Sequence, residues 1–365
     1  MKKILVFSLP GLGNTLLFTP VLEKLRKQFP DAKITVLVMY KGSKQMLDGN
    51  PNLDELILFE FLKQGNLKSL KFLLELRKRK FDISILPHPS NKAHYNLISF
   101  LAGAKLRLGY DYPYLRLKSL SFLQNKRKKL GDNHEIQENF ALLESIGLKL
   151  TDEQIKNTRL FLKIDNEHRK FADRFYKKYN IKGLKIGIHA GSSTSAGMIN
   201  KRWPKERFAD LANFLIDQYK ANILIFGGPD ESELKNYIYG LIKNKKKAFL
   251  VDIDPIKETV AVIEQCDFFV TNDSGFMHMA VVMNVRTIAI SGAVDYKKTY
   301  PWNKNSGIIY HDISCYPCYR FGEDLECKRK EKDYACLKYI SVYHVANMME
   351  KLKKNEGMGP ILERV

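Results

Sequence analysis

One stretch of this sequence constrains the fold more than any other: an apolar strand that runs through a polar turn into an apolar helix. Residues 268–270 have the composition of a buried parallel strand, residues 272–275 turn the chain, and residues 276–283 form an apolar helical segment. In open α/β sheets, ligands bind where the carboxyl ends of strands meet the amino ends of helices. Unsatisfied backbone N–H groups at a helix start favour anions. The stretch therefore predicts an α/β sheet with an anion site at this edge.

Two interpretations of the polar turn are open from this stretch alone. In the first, Asp273, Ser274, Gly275 and His278 line a bound ligand. In the second, Asp273 only caps the helix, Gly275 eases the turn and His278 packs in the core. The other loops of the chain are needed to choose between them.

Length and composition predict two α/β domains. The sequence has 365 residues, of which 45% are hydrophobic, enough for two sizeable cores. We predict one domain over residues 1–165, a second over 166–340, and a C-terminal helix and tail over 341–365. The first apolar run is too short for a signal peptide, and no stretch approaches the ~20 apolar residues of a membrane span. We therefore expect a cytoplasmic protein.

A glycine-rich turn follows the first predicted strand. Gly11, Gly13 and Asn14 lie between a strand at residues 4–9 and a helical pattern at residues 15–29. A dinucleotide-binding turn would need a third glycine and an acidic residue at the end of the next strand, and both are missing. The glycines either let a substrate approach the backbone closely or serve turn geometry alone.

A second loop of the first domain, residues 87–92, follows a predicted strand at residues 83–86 and falls at the same edge as the glycine turn. It carries His88, whose unperturbed pKa near neutrality suits a proton acceptor. The alternative is that His88 is an ordinary polar loop residue.

The formal net charge of +20 predicts affinity for anionic partners. Residues 105–130 hold eight Lys and Arg against one Asp, with aromatic residues between them. This stretch indicates either a solvated basic face or a docking surface for an anionic acceptor or an anionic membrane. Because no nucleic-acid recognition motif accompanies the charge, we expect no nucleic-acid partner.

The second predicted domain contains a loop of small residues at 190–197. Ser192 and Ser193 in this loop, with Lys201 after it, offer hydroxyls, N–H groups and a positive charge to phosphates. The loop lacks the Gly-Lys-Ser/Thr of a P-loop, so by itself it is also compatible with a mobile linker.

Two more loops of this domain follow predicted strands. The strand at 222–226 ends in a turn that carries Glu231, and the strand at 268–270 ends in the polar turn described above. Carboxyl ends of parallel strands share one edge of a sheet, so the loops at 190–201, 227–231 and 272–278 are predicted to converge there. This convergence favours the ligand-binding interpretation of the turn.

Four of the five cysteines lie within 22 residues, with the spacing Cys315-x2-Cys318-x8-Cys327-x8-Cys336. Four thiolates at such spacing can enclose Zn²⁺ or iron tetrahedrally, although the x8 gaps are shorter than those of common zinc ribbons. The alternatives are reduced buried thiols or adventitious disulfides. Residues 315–336 are therefore predicted as a four-cysteine insertion and a candidate site for structural Zn or Fe.

Taken together, these motifs resemble a known family, the lipopolysaccharide heptosyltransferase-like enzymes of glycosyltransferase family 9. The resemblance covers most of the chain. It rests on these segments in order: residues 9–22, residues 29–32, His189-Ala190-Gly191, Lys201-Arg202-Trp203-Pro204, residues 226–231 and residues 272–278.

The resemblance implies a GT-B architecture, in which two Rossmann-like domains face each other across a cleft. The amino domain would hold the acceptor, near Gly11, Gly13 and Asn14. The carboxyl domain would bind a nucleotide-diphosphate sugar, typically ADP-heptose. The family inverts configuration at the anomeric carbon: a base removes the proton of an acceptor hydroxyl as it attacks. No cofactor is required for this transfer.

The resemblance also implies roles for residues of the donor site. Ser192, Ser193 and Lys201 would lie near the diphosphate, where Lys201 also stabilises the leaving group. Glu231 would bind the ribose hydroxyls. Four further residues would line the diphosphate and the sugar: Asp273, Ser274, Gly275 and His278. Similar cysteine clusters occur in this family, and one branch that modifies autotransporters uses four cysteines to hold iron.

One position departs from the family pattern. The better-studied members carry Asp at the position of Asn14, and that Asp is their proposed base. A neutral amide cannot usefully accept a proton at pH 7. Either another group serves, for which His88 is our candidate, or Asn14 only orients the acceptor, or activity is lost.

Three functions follow from these observations. The first is an inverting transferase of heptose, or a related sugar, to lipopolysaccharide or another surface glycan on the cytoplasmic face of the inner membrane. Its basic surface would hold it there as a peripheral protein. The second is a non-catalytic relative that binds sugar nucleotides or glycans, motivated by Asn14. The third, a nucleic-acid binder with a metal knuckle, lacks a recognisable reading element.

Overall fold

The computed structural model describes residues 1–320, 322–354 and 360–365. The chain divides into two compact units, Met1–Lys163 and Ile164–Val365. Residues 321 and 355–359 belong to the predicted cysteine insertion and the predicted C-terminal tail, and those parts of the two predictions lie outside the described residues.

The first unit is built around a parallel sheet. Its strands are β1 (Lys3–Ser8), β2 (Lys33–Val38), β3 (Glu55–Leu58), β4 (Ile83–Ile85), β5 (Leu106–Asp111) and β6 (Lys126–Lys129). They pair in the order β3-β2-β1-β4-β5-β6. The order is that of a Rossmann sheet, whose ligand position is the switch point between β1 and β4.

Helices cover both faces of this sheet. They are α1 (Leu12–Leu17), α2 (Thr19–Gln28), α3 (Lys41–Leu47), α4 (Phe61–Lys78), α5 (Ala93–Ala102), α6 (Glu135–Leu143) and α7 (Asp152–Lys156), with 3₁₀ turns at Pro113–Ser119, Ser121–Leu123 and Glu144–Ile146. The helix predicted at residues 15–29 is two helices, because Pro20 lies in the first turn of α2 and cannot continue the hydrogen bonding of α1.

Two strands of the first unit lie where the sequence indicated only a basic stretch. β6 consists of Lys126, Arg127, Lys128 and Lys129, which are poor strand formers, and it lies at the edge of the sheet. Charged side chains on an edge strand oppose pairing with a second sheet. Pairing with β5, rather than local propensity, therefore makes this segment a strand.

The second unit has the same topology, with one more strand. Its strands are β7 (Lys185–His189), β8 (Asn222–Phe226), β9 (Ala248–Val251), β10 (Phe268–Asn272), β11 (Arg286–Ser291), β12 (Gly307–Tyr310) and β13 (Ile361–Arg364). They pair in parallel in the order β13-β12-β11-β10-β7-β8-β9. The switch point lies between β7 and β10.

Helices again connect the successive strands of the sheet. They are α8 (Asn166–Lys178), α9 (Lys205–Tyr219), α10 (Ser232–Leu241), α11 (Ile256–Glu264), α12 (Gly275–Val282), α13 (Tyr296–Thr299), α14 (Ala335–Lys338) and α15 (Val342–Lys354), with 3₁₀ turns at Ser195–Lys201, Pro229–Glu231 and Lys245–Lys247. α15 packs on β11, β12 and α9. Within the described ranges, no helix is long and apolar enough to cross a membrane.

Candidate functional site

The three predicted loops of the second unit meet at the carboxyl edge of its sheet, and a buried histidine joins them. His189 ends β7, and its Nε2 lies 3.0 Å from Glu231 Oε2. Its Nδ1 lies 3.1 Å from Ser274 Oγ and 3.3 Å from Thr271 Oγ1. The ring stacks on Phe276, with ring centres 4.2 Å apart. One imidazole thus ties β7, the loop after β8 and the start of α12 together.

Lys201 and Asp273 form an ion pair at the same edge. Lys201 Nζ lies 2.9 Å from Asp273 Oδ2, and each side chain is only 13% exposed. Because Asp273 lies just before α12, the pair brings a lysine to a helix start, where free N–H groups and the helix dipole also attract anions. Shielding from water strengthens the attraction of such a cation for a bound anion.

His278 is buried near the start of α12. It is 3% exposed, and its Nδ1 has no hydrogen-bond partner among the described residues. Burial lowers its pKa to about 4; the charge of Asp273 opposes this shift and that of Lys201 adds to it. The ring is therefore neutral at neutral pH. A buried polar atom without a partner costs about 1–3 kcal/mol, and a ligand hydroxyl or phosphate can supply that partner.

Glu231 is a buried carboxylate whose surroundings keep it ionised. It accepts hydrogen bonds from the Gly228 N–H (2.9 Å) and from His189, and its Oε1 lies 3.7 Å from Arg202. Burial acts to raise the pKa of Glu231, but the bonds and charges of these neighbours outweigh it and lower the pKa. A Cβ on Gly191 would lie 1.7 Å from Glu231 Oε1, so only glycine leaves room for this carboxylate.

The two predicted serines occupy different environments. Ser192 is buried; its Oγ donates to the Met198 carbonyl (2.9 Å) and accepts from Arg202 Nε (3.0 Å). Ser193 is exposed, and its Oγ lies 2.9 Å from Ser195 Oγ. In this structure Ser192 shapes the loop, whereas Ser193 presents its hydroxyl at the surface.

Sequence reasoning assigned no role to His189 or Asn272, although both lie in the motifs that it used. Asn272 Nδ2 donates to the Ala190 carbonyl (2.7 Å), and its Oδ1 accepts from the Trp203 N–H (2.8 Å). Asn272 thus fixes both ends of the segment at residues 190–201, the lysine-bearing loop. The available signal was a polar residue that ends an otherwise apolar strand at a sheet edge.

The cysteine segment, residues 315–320 and 322–336 of the structure, packs directly on the lysine-bearing loop. The Leu325 N–H donates to the Ala196 carbonyl and its carbonyl accepts from Asn200 Nδ2, both at 2.9 Å. Gly197 has a φ of 69°, and a Cβ there would lie 2.4 Å from the Leu325 carbonyl oxygen. The position of this segment therefore constrains the loop.

The four predicted metal ligands, Cys315, Cys318, Cys327 and Cys336, are unpaired thiols. In the part of the chain that the structure describes, no group of three or more His, Cys, Asp or Glu side chains is arranged as a metal site. The thiols still influence one another: burial, followed by the charges of the other three, raises the pKa of Cys336 to about 12. The metal therefore stays a prediction.

The carboxyl edge of the first sheet has a different chemistry. Gly11 precedes α1 and is exposed, Gly13 lies within α1, and Asn14 follows it. Asn14 Nδ2 donates to both carboxylate oxygens of Glu135, at 3.0 and 2.8 Å. Glu135 is the first residue of α6 and is 1% exposed. Sequence reasoning missed Glu135, because its charge lies in a polar stretch without any motif.

His88 is buried rather than displayed on a surface loop. It is 3% exposed, and its Nδ1 lies 2.9 Å from the Tyr112 hydroxyl. Its backbone N–H donates to Asn139 Oδ1 at 2.8 Å. Its assignment as a base stays a prediction.

Two Rossmann-like units, one of which brings a lysine, a buried carboxylate and a helix start to its switch point, define the class: a GT-B glycosyltransferase. The chain belongs to glycosyltransferase family 9 (heptosyltransferase), whose family model matches residues 69–329. It is 29% identical to lipooligosaccharide heptosyltransferase 2 of Campylobacter jejuni, over 98% of this chain and all of that relative. The predicted family and fold class are confirmed.

Solved structures agree with this fold. The chain is similar to a family 9 glycosyltransferase from Veillonella parvula, with 26% identity and a TM-score of 0.75 over 96% of this chain and 97% of that one. It is also similar to the ADP-heptose lps heptosyltransferase II of E. coli, with 21% identity and a TM-score of 0.73 over 98% of this chain and 99% of that one.

Proposed function

We propose that this enzyme transfers heptose from ADP-heptose to a lipopolysaccharide or lipooligosaccharide acceptor, with inversion at the anomeric carbon. The observation that carries the proposal is the edge of the second sheet, where the Lys201–Asp273 ion pair lies beside the start of α12. Near it is the Nδ1 of His278, which has no hydrogen-bond partner in the described part of the chain. The names of the similar proteins support heptose and the acceptor class.

On this proposal the donor's polar groups are divided among the edge residues by charge. Lys201 and the N–H groups of Ser274 and Gly275 take the diphosphate, together with the hydroxyls of the 190–197 loop that carries Ser192 and Ser193. Glu231 accepts hydrogen bonds from the ribose hydroxyls. The Asp273 carboxyl group and the His278 ring, which is neutral at neutral pH, take hydroxyls of the sugar.

The transfer itself needs a base for the acceptor hydroxyl and positive groups that stabilise the leaving diphosphate. The acceptor hydroxyl attacks the anomeric carbon while a base of the first unit takes its proton. The bond from that carbon to the diphosphate breaks, and ADP leaves with the bonding electrons. Lys201 and the α12 N–H groups stabilise the developing charge without a cofactor.

Turnover with a defined donor and acceptor tests this function. Purified protein is mixed with ADP-heptose and a heptose-deficient lipooligosaccharide; we expect ADP release and an acceptor mass increase of one heptose. UDP-glucose serves as a control donor that should give neither. Binding of ADP-heptose in calorimetry without turnover would instead favour the non-catalytic alternative.

We also propose that the enzyme docks peripherally on the cytoplasmic, anionic face of the inner membrane through α4. Leu67, Leu70 and Leu74 lie on one helix face and are 85%, 42% and 47% exposed. The exposed Lys68 and Lys71 lie among them. Exposed leucines interleaved with lysines match a bilayer surface that is apolar below and negative above.

Vesicle co-sedimentation tests this surface. We expect binding to vesicles with 30% anionic lipid and little to neutral ones, and Leu67→Ser with Leu70→Ser should weaken binding by about tenfold or more. Leu241→Ser is the matched control, since Leu241 is 45% exposed in the second unit. Equal loss in the control, or binding unchanged in the double variant, contradicts the docking role of α4.

We propose further that the cysteine segment holds structural Zn or Fe. The supporting facts are four unpaired thiols within one segment and the mutual influence of their charges. Bound metal would hold Leu325 against the lysine-bearing loop. Elemental analysis of purified protein should find about one metal ion per chain, and the protein with all four cysteines changed to Ser should contain none; wild-type protein without metal contradicts the site.

A further inference from the structure

The first unit contains a buried carboxylate that no sequence motif marks. Asn14 lies in α1, just after β1, and Glu135 begins α6, 121 residues later. The Asn14 amide nitrogen nevertheless lies 3.0 and 2.8 Å from the two Glu135 oxygens. Both lie at the switch point of the first sheet, the ligand position of this fold.

We propose that Glu135 is the general base that deprotonates the acceptor hydroxyl, held for that purpose by Asn14. This inference rests on the proposed transfer reaction and names the group that the reaction needs. Asn and Asp have the same shape, so the Asn14 nitrogen marks the place where an Asp oxygen would lie. This chain therefore still has a carboxylate at the site: it belongs to Glu135, which is hydrogen-bonded to the side chain at position 14.

A neutral amide at position 14 suits a charged carboxylate at Glu135 better than an Asp would. Two carboxylates at 2.8 Å could not both carry charge, and one would hold a proton. The Asn14 N–H instead donates to the carboxylate and stabilises its charged form. The start of α6, where Glu135 lies, favours a negative charge as well.

The acceptor can reach Glu135 by way of Asn14. Asn14 is partly exposed, and Glu135 lies behind it with 1% exposure. A hydroxyl that displaces the Asn14 amide nitrogen would meet a carboxylate oxygen at the distance that the nitrogen has now. The proton then passes to that oxygen, the hydroxyl oxygen bonds to the anomeric carbon, and ADP leaves.

A second buried glutamate on the same helix offers a matched control. Glu138 is also 1% exposed, but its oxygens accept from the backbone N–H groups of Gly131 (3.2 Å) and Asn133 (3.1 Å). Glu138 therefore holds the loop before α6. Among the described residues, no hydrogen bond joins its side chain to Asn14. Glu135 and Glu138 are equally buried and lie on the same helix, but their carboxylates are bound by different residues.

The test compares Glu135→Gln, Asn14→Asp with Glu135→Gln, and Glu138→Gln, measured for kcat, KM and the pH dependence of kcat. We expect Glu135→Gln to lower kcat by 10²- to 10⁴-fold and to remove the carboxylate limb of the pH profile, with unchanged ADP affinity and melting temperature. Adding Asn14→Asp returns a carboxylate to the site and should restore kcat at least tenfold. Glu138→Gln should keep kcat within about threefold.

Each contrary result is distinct. A Glu135→Gln enzyme with kcat within about threefold of wild type overturns the proposal, as does a loss that Asn14→Asp fails to restore. If His88→Ala abolishes kcat while Glu135→Gln stays active, His88 is the base instead. Wild-type protein that binds ADP-heptose without any turnover removes the proposed function, and this inference with it.

Discussion

The two sheets share one topology but carry different chemistry at the same edge. In the first unit, the switch point between β1 and β4 presents a buried glutamate bound by Asn14 and a buried histidine. In the second, the switch point between β7 and β10 presents Lys201 at the start of α12. The fold therefore fixes where a ligand lies, and the loop residues fix which ligand.

This contrast matches the two halves of a sugar transfer. A leaving diphosphate needs positive charge and N–H donors, whereas an attacking hydroxyl needs a proton acceptor. If the residues of the two edges were exchanged, the diphosphate would lack a cation and the hydroxyl would lack a proton acceptor. The following variants test whether the difference between the edges carries the reaction.

The largest effect is expected from Lys201→Ala, which removes the cation of the second edge. The Lys201 side chain is only 13% exposed and lies beside the start of α12. We therefore expect kcat/KM to fall by about 10²- to 10³-fold. Lys205→Ala is the control, since Lys205 lies over the Tyr237 ring, 3.7 Å from its centre. Steady-state ADP release measures both; equal effects would remove the special role of Lys201.

His278 should give the second unit a pH-dependent stability. Its pKa is about 4 in the folded protein and about 6.5 when unfolded, so the unfolded chain binds more protons between these values. Stability is therefore full above pH 6.5 and falls by up to about 3 kcal/mol as the pH drops towards 4. His278→Asn should lack this part of the slope.

Tryptophan fluorescence isolates that measurement. The chain has two tryptophans, Trp203 and Trp302, and both are buried in the second unit. Urea melts followed by this signal at several pH values report the second unit alone. Parallel slopes in wild type and His278→Asn would show that His278 does not carry the dependence.

Gly191→Ala should disturb the carboxyl edge of the second sheet without removing a charge. The new methyl group would displace Glu231, since its ideal position lies 1.7 Å from Oε1. We expect about tenfold weaker ADP binding in calorimetry. Gly240→Ala is the matched control, because nothing lies within 4 Å of a Cβ there. A binding constant unchanged in Gly191→Ala would exclude Glu231 from ADP binding.

The smallest effect is expected where the cysteine segment holds the lysine-bearing loop. Asn200→Ala removes the bond to the Leu325 carbonyl, worth about 1 kcal/mol, and should raise the donor KM about threefold to fivefold. Asn213→Ala is the control, because it removes a similar bond between α9 and the Leu241 carbonyl at the end of α10. If both variants leave the donor KM unchanged, the cysteine segment does not influence donor binding through the lysine-bearing loop.

Much of the fold was predictable because apolar periodicity is a local property. The strand at 222–226 was predicted with the bounds that the structure has. The edge strand β6 was not, since its four basic residues have no strand pattern. Its conformation depends on hydrogen bonds to β5, which the segment itself does not encode.

The candidate site divides in the same way. Lys201, Glu231 and Asp273 were predicted to share an edge because each follows a strand of one parallel sheet, and the structure places them together. The hub formed by His189 was missed, since its partners lie 42 and 85 residues away.

The sequence by itself determined the family, the two α/β units and the residues that meet at the carboxyl edge of the second sheet. Each of these follows from the order of short motifs and from the common edge of parallel strands. Only the tertiary structure decided that Glu135 lies against Asn14, 121 residues apart. That contact depends on how α6 packs beside α2 and β5, and packing across such a separation leaves no periodic trace in the chain.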